Sequence, residues 1–191
     1  MTLDDFNLTT VEEGQIISDF DCGDIPLNDF LLKQSQDYSK EAIARTHLIK
    51  NGEEKIIAYF SLFNDALTVE DAGFSSKSKK KSFLSRLIPH HKRHLENYPA
   101  IKIGRLAVCV EFQGKQIGQK ILSYIISLGI ELNKSVACKF ILVDSYPQSV
   151  QFYKRNNFEQ VGDVQATPTT PLPMYLDLTP YLNALIGESS E

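Results

Sequence analysis

A single stretch, residues 101–118, most narrowly limits the folds that this chain can adopt. It begins as an apolar run, passes through a loop that contains Gly114, and enters a segment with apolar residues at helical spacing. This order predicts a buried strand, a tight turn and the first turn of a helix. Such a turn directs several backbone N–H groups toward one point, where a phosphate group binds well. The stretch therefore predicts a site for a phosphorylated ligand within an α/β architecture.

Helical and strand-like periodicities alternate along the rest of the chain. Apolar spacing predicts helices over residues 26–38, 114–132 and 148–156. Asp24 is expected to cap the first of these helices. Strands are expected over residues 46–49, 56–63, 101–110, 140–143 and 174–178. The pair Asn51-Gly52 is typical of a hairpin turn. This order predicts an α+β (α/β) fold with helices packed on a mixed sheet.

Residues 65–99 differ from the rest because strand-type alternation disappears and basic residues cluster at 77–81 and 90–94. We expect a basic insertion here, with a loop and a short helix over residues 82–87. The chain of 191 residues is long enough for one domain and short for two. We therefore expect a single domain over residues 1–191. A helical turn is expected over residues 180–186, and a frayed tail over 187–191.

Composition excludes several classes of protein. The net charge of -4 argues against a general nucleic-acid binder. Three cysteines without metal-type spacing indicate a reducing compartment, and Cys109 and Cys138 are expected to be buried apolar residues. No signal peptide or apolar run of about 20 residues is found, so a cytoplasmic protein without a membrane span is expected. The histidines of residues 90–94 lack acidic or thiol partners, so no metal site is expected.

Two sequence motifs in a fixed order resemble those of one enzyme superfamily. Residues 113–118 (Gln-Gly-Lys-Gln-Ile-Gly) form the loop, and Phe152-Tyr153 with Phe158 lie one helix and one strand later. This pairing resembles the acetyl-CoA-binding core of the GNAT acetyltransferases, and it implies their mixed, mainly antiparallel central sheet flanked by helices. Gln116 replaces the first glycine of that family's loop, and Asn157 replaces the glycine before Phe158. Asparagine tolerates the positive φ of a helix end, so Asn157 is a mild departure.

The resemblance implies a role for each matched residue. Acetyl-CoA would be the co-substrate, its pyrophosphate on the loop and its pantetheine arm along the preceding strand. The implied cofactor-binding residues are Leu106, Ala107, Val108, Gln113, Gly114, Lys115, Gln116, Ile117 and Gly118. Tyr153 matches the general acid that protonates the departing CoA thiolate. The main-chain N–H near Val108 is a candidate oxyanion donor. No general base is evident, since Glu111 is equally well explained as a solvated loop residue.

Further details resemble a branch that includes the acetyltransferase toxins of toxin–antitoxin pairs. The matching segments are residues 20–23, 27–31, 45–46 and 104–108. The first reading is an N-acetyltransferase acting on a primary amine of unassigned identity. The alternatives are a toxin that acetylates aminoacyl-tRNA and is bound by an antitoxin, or a catalytically inactive CoA-binding protein. The role of Arg105, with substrate, with CoA or as a surface residue, stays open, as does the formation of a homodimer.

Overall fold

The computed structural model describes residues 7–69, 73–87, 95–163 and 165–188. The strands are β1 (Asn7–Thr10), β2 (Arg45–Lys50), β3 (Ile56–Thr68), β4 (Asn97–Val108), β5 (Phe140–Ser145), β6 (Glu159–Gln160) and β7 (Leu172–Asp177). The helices are α1 (Ile25–Asp29), α2 (Ser35–Lys40), α3 (Lys77–Leu87), α4 (Ile117–Leu132), α5 (Pro147–Arg155) and α6 (Thr179–Glu188). A π-helical segment, Phe30–Gln34, joins α1 to α2, and a 3-10 turn, Val110–Phe112, follows β4.

The strands form one sheet in the order β1-β2-β3-β4-β5-β7-β6. The pairs β1–β2, β2–β3, β5–β7 and β6–β7 are antiparallel. The predicted fold class, a mixed, mainly antiparallel sheet with helices, is therefore confirmed. The chain divides into two compact units, residues up to 64 with 103–127, and residues 65–102 with those from 128 onward. The single-domain organisation stays a prediction.

The first unit has its own core beneath α1 and the π-helical segment. Tyr59 of β3 is fully buried, with Phe20 edge-on at 5.3 Å and Phe30 stacked at 6.2 Å between ring centroids. The Asp24 carboxylate accepts a hydrogen bond from the Leu27 N–H at 3.1 Å, so the predicted cap is confirmed. This core also contains Ala107 of β4, and Leu27 of α1 packs against it. It therefore holds α1 against β3 and β4.

The second unit has a separate core in which aromatic rings dominate. Phe140 of β5 and Tyr175 of β7 meet edge to face at 5.5 Å, and Phe83 of α3 packs on Tyr175 at 5.4 Å. Leu84 and Leu87 of the same helix are also buried in this cluster. One face of α3 is therefore anchored in the core, which leaves its lysines at the surface.

Several predicted boundaries were wrong, and the loss of apolar alternation explains why. Helix α3 begins at Lys77 rather than residue 82, because three apolar residues at its end anchor an otherwise basic helix. Strand β3 continues to Thr68 and β4 begins at Asn97, so both enter the stretch that was predicted as an insertion. The short strands β1 and β6 were not predicted, since four and two residues carry too little pattern.

The predicted hairpin between β2 and β3 is present, but its turn differs from the expected form. The Asn51 carboxamide oxygen accepts hydrogen bonds from the N–H groups of Glu53 and Lys55, at 3.1 and 3.0 Å. The residue with positive φ is Glu54, at 61°, rather than Asn51 or Gly52. The asparagine thus acts through its side chain, which caps a longer loop.

No helix in the described residues is long and apolar enough to cross a membrane.

Candidate functional site

The end of β4 presents main-chain groups on its side away from β3. The Cys109 N–H donates to the Ile57 carbonyl of β3 at 2.8 Å. Backbone groups of successive residues in a strand point to opposite sides, so those of Leu106 and Val108 point away from β3. The Val108 carbonyl accepts a hydrogen bond at 3.0 Å from the Gln113 side chain. The Leu106 main chain and the Val108 N–H thus have the orientation that an extended, peptide-like ligand requires, while the Val108 carbonyl is occupied by Gln113.

The loop before α4 contains two residues in the left-handed region. Gly114 has φ 73° and Gln116 has φ 61°. No atom lies within 4 Å of where a Gly114 Cβ would be, so the space above the loop is open. The positive φ of Gln116 cannot be predicted from the sequence, because residues other than glycine rarely adopt that region and glutamine is not among those enriched there. The Gln116 position therefore adopts a backbone conformation that favours glycine.

The N–H groups of residues 114–119 have no intramolecular partner within the described part of the chain. The hydrogen bonds on either side are Gln113 N–H to the Val110 carbonyl, at 3.3 Å, and Lys120 N–H to the Gln116 carbonyl, at 3.1 Å. The sixteen-residue helix α4 begins immediately at Ile117, which is 3% exposed and anchors the loop. Unpaired N–H groups at a helix N-terminus attract an anion through both hydrogen bonding and the helix dipole.

The side chains of the loop are held in different ways. Residues 113–116 are exposed, and Gly118 is half-buried on the first turn of α4. The Lys115 ammonium lies 4.7 Å from the centroid of the Phe112 ring, which keeps a positive charge beside the open N–H groups. The Gln113 amide donates to both the Cys22 carbonyl, at 2.9 Å, and the Val108 carbonyl. Gln113 thus ties the end of β4 to the segment before α1.

That segment, residues 21–24, is itself internally bonded. The Asp21 carboxylate accepts hydrogen bonds of 2.8 Å from the Gly23 N–H and the Asn28 amide, which lower the pKa of Asp21. The Asn28 oxygen accepts from the Cys22 N–H at 3.0 Å. The Asp21 carbonyl in turn accepts from the Val110 N–H at 2.9 Å. Residues 21–23 and Asn28 thus form a hydrogen-bonded frame beside the 3-10 turn that follows β4.

The two polar candidates Glu111 and Arg105 have different partners. Glu111 forms an ion pair with Lys55 at 2.7 Å, so it is engaged rather than poised as a base. Arg105, on β4, places its guanidinium carbon 4.8 Å from the centroid of the Phe30 ring. It is half-buried, not a plain surface residue.

Tyr153 lies on α5, in the second compact unit. It is 6% exposed and meets Phe152 and Phe158 edge to face at 5.1 and 5.2 Å. Burial raises the pKa of Tyr153. Its hydroxyl forms no hydrogen bond with a described residue and is not among the fully buried polar atoms. Asn157, at the end of this helix, has φ 66°, so the positive φ expected there is confirmed.

The remaining candidates have structural explanations. Cys109 and Cys138 are buried, as predicted, and burial raises the pKa of the Cys138 thiol. Among described residues, no group of three or more His, Cys, Asp or Glu side chains could hold a metal ion. The histidine cluster at 90–94 lies outside the described residues.

Comparisons with known proteins agree with these features. Residues 90–175 match the family model of the acetyltransferase (GNAT) domain. A solved structure of a tyrosine-to-phenylalanine variant of KacT is 21% identical, covers 95% of this chain and 99% of that chain, and has a TM-score of 0.72. No curated protein sequence matches the chain.

Two structures of AtaT proteins have the same fold. AtaT complexed with acetyl-methionyl-tRNAfMet is 20% identical, with 95% of this chain and 99% of that chain covered and a TM-score of 0.70. AtaTR bound with AcCoA is 21% identical, with coverages of 96% and 99% and a TM-score of 0.70. The family model thus confirms the predicted resemblance to GNAT acetyltransferases, and the solved structures share the fold of this chain.

Proposed function

We propose that this chain is an acetyl-CoA-dependent N-acetyltransferase that transfers the acetyl group to a primary amine. The observation that carries the proposal is the loop over residues 113–118, whose N–H groups from Gly114 onward have no partner among the described residues at the start of a long helix. The open space above Gly114 and the positive φ of Gln116 fit a pyrophosphate that approaches the backbone closely. The solved structure of AtaTR with AcCoA supports the choice of co-substrate.

The strand before the loop would hold the pantetheine arm. Leu106 and Val108 point their backbone groups away from β3 and would pair with the amide groups of that arm, whereas the backbone groups of Ala107, between them, point toward β3 and would not, contrary to the role that the resemblance implied for Ala107. The Val108 N–H would donate to the acetyl carbonyl oxygen as negative charge develops on it. Acetyl-CoA supplies the thioester, and the acceptor amine attacks its carbonyl carbon while the C–S bond breaks.

Tyr153 would protonate the departing CoA thiolate. Burial raises the pKa of Tyr153, so the phenol stays protonated at neutral pH and retains a proton to donate. The free amine of the acceptor loses its proton to solvent, which requires no protein base. Because the resemblance assigns this role, a direct test of Tyr153 is needed.

The test compares Tyr153→Phe with Tyr146→Phe, a variant at an exposed tyrosine just before α5. We expect Tyr153→Phe to bind acetyl-CoA with nearly unchanged Kd by calorimetry and to lose most thiol release on an amine panel. Tyr146→Phe should retain its turnover. Equal turnover in Tyr153→Phe and the parent chain refutes the acid role. Acetyl-CoA binding without thiol release in the parent chain would favour the inactive CoA-binding alternative.

A second candidate function is acetylation of aminoacyl-tRNA by a toxin that an antitoxin restrains. Its specific support is the exposed face of α3, since residues 73–87 contain five Lys or Arg and no Asp or Glu. Lys79 pairs with Asp163 and Arg86 with Glu159, at 3.2 and 2.8 Å. Lys77 and Lys81 are exposed and form no ion pair with a described residue. Such a fixed cationic face suits RNA phosphates.

The test of this candidate uses charged tRNA and a small amine in parallel. Lys77→Gln/Lys81→Gln should lower turnover of aminoacyl-tRNA and reduce the slope of log affinity against log salt by about 0.7–0.9 per lost phosphate contact. Turnover of the small amine should not change. The matched control is Lys134→Gln, which removes an exposed lysine paired with Glu131. Growth arrest on expression, relieved by Tyr153→Phe, and co-purification of an antitoxin would support the toxin. Sedimentation would test the homodimer.

A further inference from the structure

A positively charged side chain on β4 lacks an acidic partner within the part of the chain that the structure describes. The Arg105 guanidinium is half-buried, and it forms no ion pair with a carboxylate of any described residue. Its Nη1 donates a hydrogen bond of 2.7 Å to the carbonyl of the preceding residue, Gly104. A guanidinium has five N–H donors, so one neutral carbonyl leaves most of its bonding capacity unused.

The surroundings of Arg105 are aromatic and rigid. The guanidinium stacks on Phe30, which is 3% exposed and is itself held by Tyr59 at 6.2 Å and Tyr38 at 5.3 Å. The Tyr59 hydroxyl donates to the Leu27 carbonyl at 2.7 Å, so the wall around the guanidinium is fixed. Stacking on an aromatic face orients the planar fork of arginine before a ligand arrives.

The two acidic residues at the ends of α1, Asp24 and Asp29, are already engaged. The Asp24 carboxylate caps α1 through the Leu27 N–H, and Asp29 pairs with Lys33 at 2.6 Å. Removing a cation from water without a counter-charge is unfavourable, and an anionic ligand would offset that penalty. Arginine binds carboxylates and phosphates in a bidentate manner. The missing partner of Arg105 is therefore chemically a carboxylate or a phosphate.

We infer that Arg105 selects acceptors that carry an anionic group a few bonds from the amine. It directly precedes Leu106, the first of the three β4 residues implied to hold the pantetheine arm, so the inference places the anionic group of the acceptor beside this part of β4. The inference rests on the proposed acetyl transfer, and it narrows the acceptor from any primary amine to an anionic one. A free carboxylate and a phosphate share this chemistry.

The test uses three small acceptors, namely β-alanine with a carboxylate, O-phosphoethanolamine with a phosphate, and neutral propylamine. We expect the parent chain to prefer at least one anionic acceptor over propylamine by about tenfold or more in kcat/KM, which corresponds to about 1.4 kcal/mol. Arg105→Gln should bring this ratio close to one through a rise in KM. Arg105→Lys should keep part of the preference. The two anionic arms show whether carboxylate or phosphate is favoured.

The matched control is Arg45→Gln in the same compact unit, an exposed arginine that bonds to the Ser39 hydroxyl at 3.0 Å. It should keep the parental ratio. A ratio near one in the parent chain, or an unchanged ratio in Arg105→Gln, overturns the inference. An equal loss for all three acceptors also overturns it, since that marks a purely structural clamp on Phe30.

Calorimetry in the presence of CoA separates this inference from the proposed function. If the parent chain turns over none of these three acceptors and releases no thiol with the amine panel or aminoacyl-tRNA, the acetyl transfer proposal fails. The Kd values of the three amines then decide the role of Arg105 without catalysis. Tighter binding of an anionic amine that Arg105→Gln abolishes supports the inference, and equal binding of all three amines overturns it.

Discussion

Gln116→Gly should stabilise this chain, although it deletes a side chain and adds backbone freedom. Gln116 has φ 61°, a conformation in which a Cβ atom crowds the backbone. Its side chain is exposed and forms no hydrogen bond with a described residue. The substitution therefore removes strain and loses little packing. The Gln116 carbonyl, which accepts from the Lys120 N–H at 3.1 Å, is kept.

The expected gain is the difference between two terms of similar size. The left-handed backbone conformation destabilises a residue other than glycine by about 1–2 kcal/mol. Glycine in turn costs about 0.5–1 kcal/mol, because its unfolded chain has more conformations to lose. The net stabilisation is about 0.5–1 kcal/mol. For a chain of this length, 1 kcal/mol shifts the Tm by about 2–4 °C, so a rise of about 1–4 °C is expected.

Thermal unfolding and urea denaturation measure this change, with the urea midpoint rising at constant m. Gln116→Ala is the critical control, because alanine keeps the Cβ and should keep the strain. The reverse change, Gly114→Ala at φ 73°, meets no atom within 4 Å and should cost about 1 kcal/mol from backbone strain alone. Gly52→Ala, which meets open space at ordinary φ, should be neutral or slightly stabilising. Equal stabilisation by Gln116→Ala and Gln116→Gly would refute the reasoning.

Three further predictions concern other parts of the fold. Burial lowers the pKa of His47, stacked on Phe60, to about 4, so the unfolded chain binds a proton first as pH falls below about 6.5. The free energy of unfolding should therefore fall by about 1 kcal/mol between pH 7 and pH 5. Urea titrations at both pH values should show a smaller fall in His47→Gln. An identical fall in the parent chain and the variant would contradict this prediction. Gly104→Ala places a Cβ 2.8 Å from Phe63 and should lower the free energy of unfolding by about 1–3 kcal/mol in thermal unfolding. Adding Phe63→Leu should restore most of this stability, and a double variant that is no more stable than Gly104→Ala argues against the clash. Asn157 has φ 66°, so Asn157→Ala should lower the free energy of unfolding by about 1 kcal/mol, and Asn157→Gly should lower it less. Urea denaturation measures both variants. The opposite order would show that the asparagine side chain matters more than the backbone conformation.

Most of the strands and helices followed from local sequence patterns. The helix at residues 117–132 and the strand at 140–145 were predicted closely, since periodicity is strong where one face is buried. Helix α3 was placed too late, because only Phe83, Leu84 and Leu87 mark it as apolar. A basic helix with a short apolar end resembles a loop until the core that receives it is known.

In the candidate site, too, some features could be predicted from the sequence and others could not. Gly114 and Asn157 were predictable because these residue types favour or tolerate positive φ. The left-handed conformation of Gln116 was not predictable, since its own preference opposes it and the strand and helix on either side impose it. Likewise, the second hydrogen bond of Gln113 reaches the Cys22 carbonyl, 91 residues away along the chain.

The sequence by itself determined the order of strand, loop and helix, the caps and the chemical identity of the candidate residues. These depend on side-chain type and near neighbours, which the chain states directly. Only the tertiary structure decided that Glu111 is paired with Lys55 while Arg105 has no acidic partner among the described residues. Burial and charge pairing depend on residues far apart in the chain, so the free energy of a buried charge is set by the fold.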